Sequence, residues 1–428
     1  MSVNKFYLIA KKRLFPICRS ITGKGIIKSL KIIKKDFKEL KIKRIRSRTK
    51  VFDWKIPDEW NIKDAYVLDK FNNKIIKFTD NNLHILNYSS KFKGFVSKKK
   101  LIANLYSQKK RPDAIPYVTS YYKKRWGFCV SDNYKKKILR NYKKTDNFFI
   151  YIDSTHNKNG YLSYGELILP GKSRQEILIS TYLCHPSMAN NELSGPIVAQ
   201  SLIKYFKKKK LNKTLRFLFI PETIGSISYI SKNLEYLKNY VIGGYNLSCI
   251  GDERMHSCML SKYENTPADK SLLSAYKELK IKFKQHSFLK RGSDERQYNS
   301  PKVNLPIASI FRTKYETYPE YHTSDDNFKI VTLKGLRGGY NVAKKAITLL
   351  DKMIIPKSKI LCEPNLGKRG MYSTLGLGKT NYKSQKILDF LQYSDGNNNL
   401  EEISKLIKIK YKKAKSIYKI LTNSNLIN

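Results

Sequence analysis

The stretch Tyr182-Leu-Cys-His185-Pro-Ser-Met-Ala-Asn-Asn191-Glu-Leu-Ser-Gly195-Pro196 decides how this chain is read. It follows Ile177-Leu-Ile-Ser-Thr-Tyr-Leu183, a run of strand character, and precedes Ile197-Val-Ala-Gln-Ser-Leu-Ile203, which reads as a helix. A strand that delivers a His into a polar, Gly-closed loop ahead of a helix is a common way to present a metal ligand. In open α/β sheets such sites form at the carboxyl ends of strands. Two later runs end alike: Thr214 to Ile220 passes through Pro221 into Glu222, and Val241 to Ile250 passes through Gly251 into Asp252. A fourth, Ile307-Ala-Ser-Ile-Phe311, is followed by Tyr321-His322-Thr-Ser324. Each signal alone is weak, but together they point to one catalytic centre at one edge of one sheet.

Outward from this stretch, strand and helix patterns alternate from about 116 to 352, as in a mainly parallel sheet sandwiched by helices. The helix Leu336 to Lys352 closes that unit. Residues 1–50 open with helical spacing, through Leu14, Ile17, Ile21, Ile26, Leu30 and Ile33. Residues 51–115 differ. Phe52, Trp54 and Ile56 alternate with polar neighbours, and short apolar runs are broken by Asp, Asn, Pro and Lys, which predicts a small β-rich unit. Residues 353–428 comprise a loop from Pro356 to Lys379 and three short helical patterns, with Asn399 as an N-cap. Three compact helices suggest a winged-helix or helix-turn-helix module. Its last helix carries Lys412, Lys413, Lys415 and Lys419, so nucleic acid is one reading. A docking or oligomerisation module with solvated lysines is the other, and no Arg or Gln stands there to read bases.

The composition narrows the class. At 428 residues the chain is expected to form two or three units. No apolar run approaches the roughly 18 residues that cross a bilayer. Phe6-Tyr-Leu-Ile-Ala10 is too short for a secretory signal, so the cytoplasm is the expected compartment. Six scattered cysteines without a CxxC pair argue against a disulfide framework and against a zinc ribbon. The formal net charge of +50 could reflect a nucleic-acid or anionic-surface partner. The lysines are spread along the whole chain, however, beside abundant Asn, Ile and Tyr, which reads as compositional bias.

Several blocks carry a resemblance. Leu14-Phe-Pro-Ile-Cys-Arg-Ser-Ile-Thr-Gly23, Ile115-Pro-Tyr-Val-Thr-Ser-Tyr-Tyr122, Arg125-Trp-Gly-Phe-Cys129, Tyr164-Gly-Glu166, Cys184 to Pro196, Pro221-Glu-Thr-Ile-Gly225, Gly292 to Tyr298 and Tyr321 to Ser324 occur in order along the chain. Together they resemble a bacterial family of zinc-aminopeptidase-like proteins often associated with surface-polysaccharide biosynthesis. The resemblance implies an M28-type catalytic domain formed by residues 1–50 and 116–352, a small β-rich insert at 51–115, and a C-terminal winged helix within 353–428. Position by position, it makes His185, Asp252 and His322 metal ligands and Glu222 the general base. Asp294, in a Ser-Asp segment near the site, and Arg296, which could hold a substrate carboxylate or other anion, are candidate substrate-binding residues.

The departures from the wider superfamily are informative. The bridging Asp is replaced by Asn191, the second Glu of a Glu-Glu pair by Thr223, and the Asp that orients the first His by Ser187. Two metals need a charged bridge, so one zinc ion held by His185, Asp252 and His322 is expected rather than two, with Asn191 as a further candidate ligand. The expected function is a metallo-aminopeptidase-like hydrolase acting on a small peptide or on an aminoacyl or N-acyl sugar, with homo-oligomerisation open. The alternatives are a non-catalytic binding protein on the same fold and a DNA-binding regulator using the tail. Bland readings exist as well: Glu222 could be the anion at a helix N-terminus, Asp252 could cap a turn, and Asn191 and Ser194 could cap the helix that starts near Gly195. Cys184, next to His185 on a strand-like run, is expected to point away from it as a buried thiol.

Overall fold

A computed structural model describes residues 2–371 and 382–428; the part of the expected linker from 372 to Lys379 lies outside the described residues. Edge to edge, the main sheet runs Lys41–Arg46, Tyr161–Leu169, Lys213–Ile220, Ser173–Tyr182, Val241–Leu247, Ile307–Phe311, Ser257–Met259 and Lys284–His286. The four strands from Lys213–Ile220 to Ile307–Phe311 are parallel. The Lys41–Arg46 and Tyr161–Leu169 strands join one side by antiparallel pairing, and Ser257–Met259 is antiparallel to Ile307–Phe311 on the other. Because the parallel strands are covered on both faces, successive residues are buried without alternation: Ile177, Leu178 and Ile179 are all fully buried.

Helices Ser194–Phe206, Ile224–Tyr240, Pro267–Glu278 and Leu333–Lys352 pack into the same core, together with the N-terminal helix Lys24–Asp36. The closing helix starts three positions before the expected Leu336, because Thr332 Oγ1 accepts from Gly335 N and caps it there. Gly195 lies where the Ser194–Phe206 helix crosses the strand ends; a Cβ there would collide with the Leu247 carbonyl. The Gly of the opening stretch therefore reflects a close approach of helix to sheet.

A second core runs from Trp60 to Ile152. Its antiparallel sheet is ordered Lys74–Lys77, Glu59–Leu68, Asn147–Asn157, Phe92–Ser97. The β-rich unit is present, but it continues past the expected boundary at 115. The Asn147–Asn157 strand supplies a central partner to Glu59–Leu68, and that pairing is set by contacts between distant parts of the chain. A third core joins Leu366 with helices Tyr382–Gln392, Leu400–Leu406 and Tyr411–Asn423. Asn399 is the expected N-cap, in a capping box with Glu402. Two isolated bridges, Lys357 to Asp395 and Ser358 to Ile427, complete the winged helix. It is tied to the main domain by the Lys270–Glu402 ion pair at 2.8 Å and by Lys357 Nζ donating to Lys238 O at 2.8 Å. Among the described residues no helix is long and apolar enough to cross a membrane.

Candidate active site

The strand ends converge as the sequence suggests, but not every candidate side chain faces the same space. His185 leaves the Ser173–Tyr182 strand three residues after its end, and its ring lies 5.4 Å from that of His322, centroid to centroid. Glu222 follows the Lys213–Ile220 strand, and its Oε2 lies 3.6 Å from His185 Nε2. These three residues, with Tyr117, Tyr121, Cys184, Thr223 and Arg296, line one pocket of about 370 Å³. Tyr117 stands against both imidazoles, at centroid separations of 5.1 Å and 5.2 Å.

His185 is gripped from its far nitrogen. Glu192 Oε2 lies 2.9 Å from His185 Nδ1, and Arg19 Nε lies 3.4 Å from Glu192 Oε1, with both of these side chains fully buried. Arg19 Nε also donates to the His185 carbonyl at 3.0 Å. The N-terminal Arg, the loop Glu and the strand-end His thus form one buried unit that leaves His185 Nε2 on the Glu222 side. Burial disfavours the imidazolium of His185. Cys184 and Glu192 beside Nδ1 outweigh that and hold its pKa well above the usual histidine value. His322 goes the other way: burial first, then the neighbouring His185, push its pKa well below that value. A neutral His322 results, and its Nε2 is buried without a hydrogen-bond partner.

The loop that presents Glu192 is a single π-helical turn, Ala189–Leu193, held by Asp326. Asp326 accepts from the backbone N–H groups of Ala189, Asn190 and Asn191 and from the Tyr318 hydroxyl. Such turns recur at functional sites. Backbone strain gathers in the same place. Thr223 has φ 62° and ψ −79°, and Ser187, Cys249 and His322 also have positive φ. Strain of this kind costs about 1–3 kcal/mol per residue and persists only where the surroundings enforce it.

Glu222 has its carboxyl pKa raised by burial, against the opposing pull of His185, a hydrogen bond from Ser293 and the charge of Arg296. Ser293 Oγ donates to Glu222 Oε1 at 2.6 Å. Arg296 is exposed at the pocket rim, and its Nη2 donates to Thr223 Oγ1 at 2.7 Å.

Three of the expected residues stand apart. Asp252 is buried, but its carboxylate is already occupied: Oδ1 accepts from Arg254 N and Thr313 Oγ1, and Oδ2 from Asn190 Nδ2 and Thr313 N. It braces the loop behind the pocket and does not line it. Asp294 is fully buried and accepts from Thr223 N at 2.7 Å and Ser226 Oγ at 2.8 Å, so it shapes the turn that carries Glu222. Asn191 turns its Oδ1 to the Tyr182 hydroxyl at 3.0 Å, and its Nδ2 is buried without a partner. Cys184 is a buried thiol, as expected. Its Sγ nevertheless lies 3.4 Å from His185 Nδ1, because the strand ends at Tyr182 and the alternation of faces stops with it.

Among the described residues, the one group of three His, Cys, Asp or Glu side chains whose ligand atoms lie within 4.8 Å of one another is Cys184, His185 and Glu192. The set His185, Asp252 and His322 is not gathered in that way. The imidazole pair does suit zinc. His322 keeps an unpartnered nitrogen, and His185 is held from Nδ1 by a carboxylate, which is how metal-ligating histidines are commonly oriented.

Arg19, Glu192, Tyr117, Tyr121 and Ser293 were not singled out by the motif reading, although all five lie inside the quoted blocks. A charged Arg inside the apolar run Leu14-Phe-Pro-Ile-Cys-Arg19, and a Glu inside a helix-entry turn, were usable signals for a buried ion pair.

The burial of Asp294 has a measurable consequence. Burial, and then the neighbouring Glu222, push its carboxyl up to about 7. A raised acid pKa means that the folded state binds the proton more tightly than the unfolded state. Stability is then greatest below the unfolded value near about 3.9 and declines as pH rises towards about 7. Asp294→Asn keeps an acceptor for Thr223 N and is expected to flatten the decline in urea midpoint across that window; an unchanged slope would assign the titration to another group.

Comparison with known proteins agrees with this architecture. Residues 7–353 match the family described as a domain of unknown function, DUF4910, and residues 354–428 match a winged helix-turn-helix family. A Clostridium acetobutylicum protein, provisionally named a polysaccharide biosynthesis protein with an aminopeptidase-like domain, is 39% identical over 396 residues, covering 92% of this chain and 89% of its own. A crystal structure from Clostridium acetobutylicum, provisionally called a peptidase, superposes with a TM-score of 0.78 at 35% identity, over 100% of this chain and 96% of that one. The zinc aminopeptidase BSAP of Bacillus subtilis, at 14% identity, superposes with a TM-score of 0.59 over 81% of this chain and 93% of its own, which shows a shared fold. The chain therefore belongs to the DUF4910 family, with an aminopeptidase-like fold followed by a winged helix-turn-helix.

Proposed function

We propose that this protein is an amide hydrolase of the aminopeptidase-like class that acts in surface-polysaccharide biosynthesis. The observation that carries the reading is a carboxylate, Glu222, facing two imidazoles in one aromatic-walled pocket at the carboxyl ends of parallel strands. The link to polysaccharide rests on the name of the Clostridium acetobutylicum relative.

In this reading Glu222 accepts a proton from water as the oxygen adds to the amide carbon. The C–N bond then breaks, and Glu222 passes the proton to the leaving amine. Ser293 fixes Oε1, leaving Oε2 for that proton. Glu192 holds a proton at His185 Nδ1 and so turns Nε2 towards the reacting atoms, and Tyr117 packs against both rings. One zinc ion would be held by His185 and His322, without Asp252. Bound there, zinc lowers the pKa of water from about 15.7 to about 7 and polarises a carbonyl.

The test is metal analysis of the purified chain with turnover on a panel of amides. The expected result is about one zinc per chain, lost in His185→Ala and His322→Ala but retained in Asp252→Asn. Retention of zinc by both His variants would refute this ligand set. A second reading, a binding protein on the same fold, is favoured by the neutral side chains Asn191 and Thr223. Tight ligand binding by a chain with no turnover on the whole panel would select it.

A further inference from the structure

The pocket carries one carboxylate against a guanidinium and two imidazoles, and this bears on what enters it. Among its lining residues Glu222 is the single acid, whereas Arg296, His185 and His322 are all basic types. A peptide with a free amino end brings an ammonium group, which needs a carboxylate partner in addition to the one that moves the proton. Among the described residues no second carboxylate lines the pocket. An anionic substrate meets a better match in Arg296, whose guanidinium is pinned at the rim by Thr223.

The mouth has a second distinctive feature. Trp54 and Tyr122 line the pocket while remaining 41% and 53% exposed, with ring centroids 5.7 Å apart in an edge-on arrangement. Trp54 comes from a tight hairpin, Lys50–Val51 paired with Trp54–Lys55, set against the helix Ile224–Tyr240 that starts just after Glu222 and Thr223. Tyr122 holds a left-handed backbone at φ 64°. Large aromatic rings left open beside a deep pocket are costly unless something covers them, and flat rings of this kind pack against the apolar C–H face of a pyranose. Thr119 and Thr223 add hydroxyl groups to the lining, which suit a polyhydroxylated ring better than an aliphatic peptide side chain. The volume of about 370 Å³ lies at the low end for small-molecule sites, enough for one or two sugar rings.

We infer that the substrate is an N-acylated amino sugar bearing a carboxylate, with its ring against Trp54 and Tyr122, its carboxylate on Arg296 and its amide towards Glu222. The inference rests on the reading of this pocket as the reacting site, and it moves the substrate class away from a free amino end.

The experiment uses the full chain carrying Glu222→Gln, so that binding is measured without turnover. Calorimetric titrations compare N-acetylglucosaminuronic acid, N-acetylglucosamine and dialanine. The acidic sugar is expected to bind about tenfold more tightly than the neutral one, and dialanine more weakly than both. Adding Trp54→Ala is expected to weaken both sugars about tenfold or more, while Trp54→Phe, which keeps an aromatic ring, retains most of the affinity. Adding Arg296→Gln is expected to erase the preference for the acidic sugar and leave the neutral one unchanged. Tightest binding of dialanine, no saturation by either sugar, or equal sugar affinity with and without Trp54→Ala would each overturn the inference. Sugar binding with this pattern, in a chain whose unsubstituted form hydrolyses no amide, would sink the hydrolase reading and leave the recognition intact.

Discussion

Glu222→Gln is expected to lower kcat for amide hydrolysis by about 10²–10⁴-fold, the usual contribution of a positioned proton carrier. Substrate affinity should change little, because the amide keeps the shape of the carboxylate and still accepts from Ser293 Oγ. The pH profile adds a check. Burial raises the Glu222 carboxyl, and a base works only when ionised. Activity should therefore rise with pH, with an acid limb above the range of an ordinary glutamate near about 4.3. An unaltered kcat in Glu222→Gln would remove Glu222 from the chemistry, whatever the fold.

The second large effect is on stability. Arg19, Glu192 and His185 form a buried charged unit, and removing Glu192 leaves the Arg19 guanidinium without its counter-charge. Glu192→Ala is expected to cost about 3–5 kcal/mol, the range for breaking a buried pair. Against a total of about 5–15 kcal/mol, that lowers the urea midpoint steeply. The combination Arg19→Met with Glu192→Ala should be more stable than Glu192→Ala alone, since no unpaired guanidinium remains. An exposed pair would contribute at most about 1 kcal/mol, so a loss that small would mean that the ion pair is not closed in solution. Glu192→Gln separates orientation from charge. It can still bond His185 Nδ1 but no longer places a negative charge behind the ring, so a fall in kcat without a matching loss of stability would assign Glu192 a positioning role.

How much of this was legible varies from residue to residue. The parallel strands were readable because burial on both faces leaves apolar runs such as Ile177 to Ile179 and Phe217 to Ile220, and their ends mark the site edge. The capping box at Asn399 was readable because its partners lie within one helical turn. The insert boundary was not. The Asn147–Asn157 strand pairs with Glu59–Leu68, far earlier in the chain, and no local pattern records that register. Asp252 was placed correctly on the chain, but the direction of its side chain depends on Thr313 and Asn190, which arrive from other elements.

The sequence by itself determined the order of strands and helices, the presence of His185, Glu222 and His322 at or after strand ends, and the absence of carboxylates at Asn191 and Thr223. Period, length and residue type are local properties, and they survive in one dimension. Only the tertiary structure decided which donors face one another. It put Glu192 and Arg19 behind His185, turned Asp252 and Asp294 to bracing, and raised Trp54 from a distant hairpin to the pocket mouth. These outcomes depend on which buried groups find hydrogen-bond partners across the fold, since an unsatisfied charge inside the core costs more than any local preference can supply.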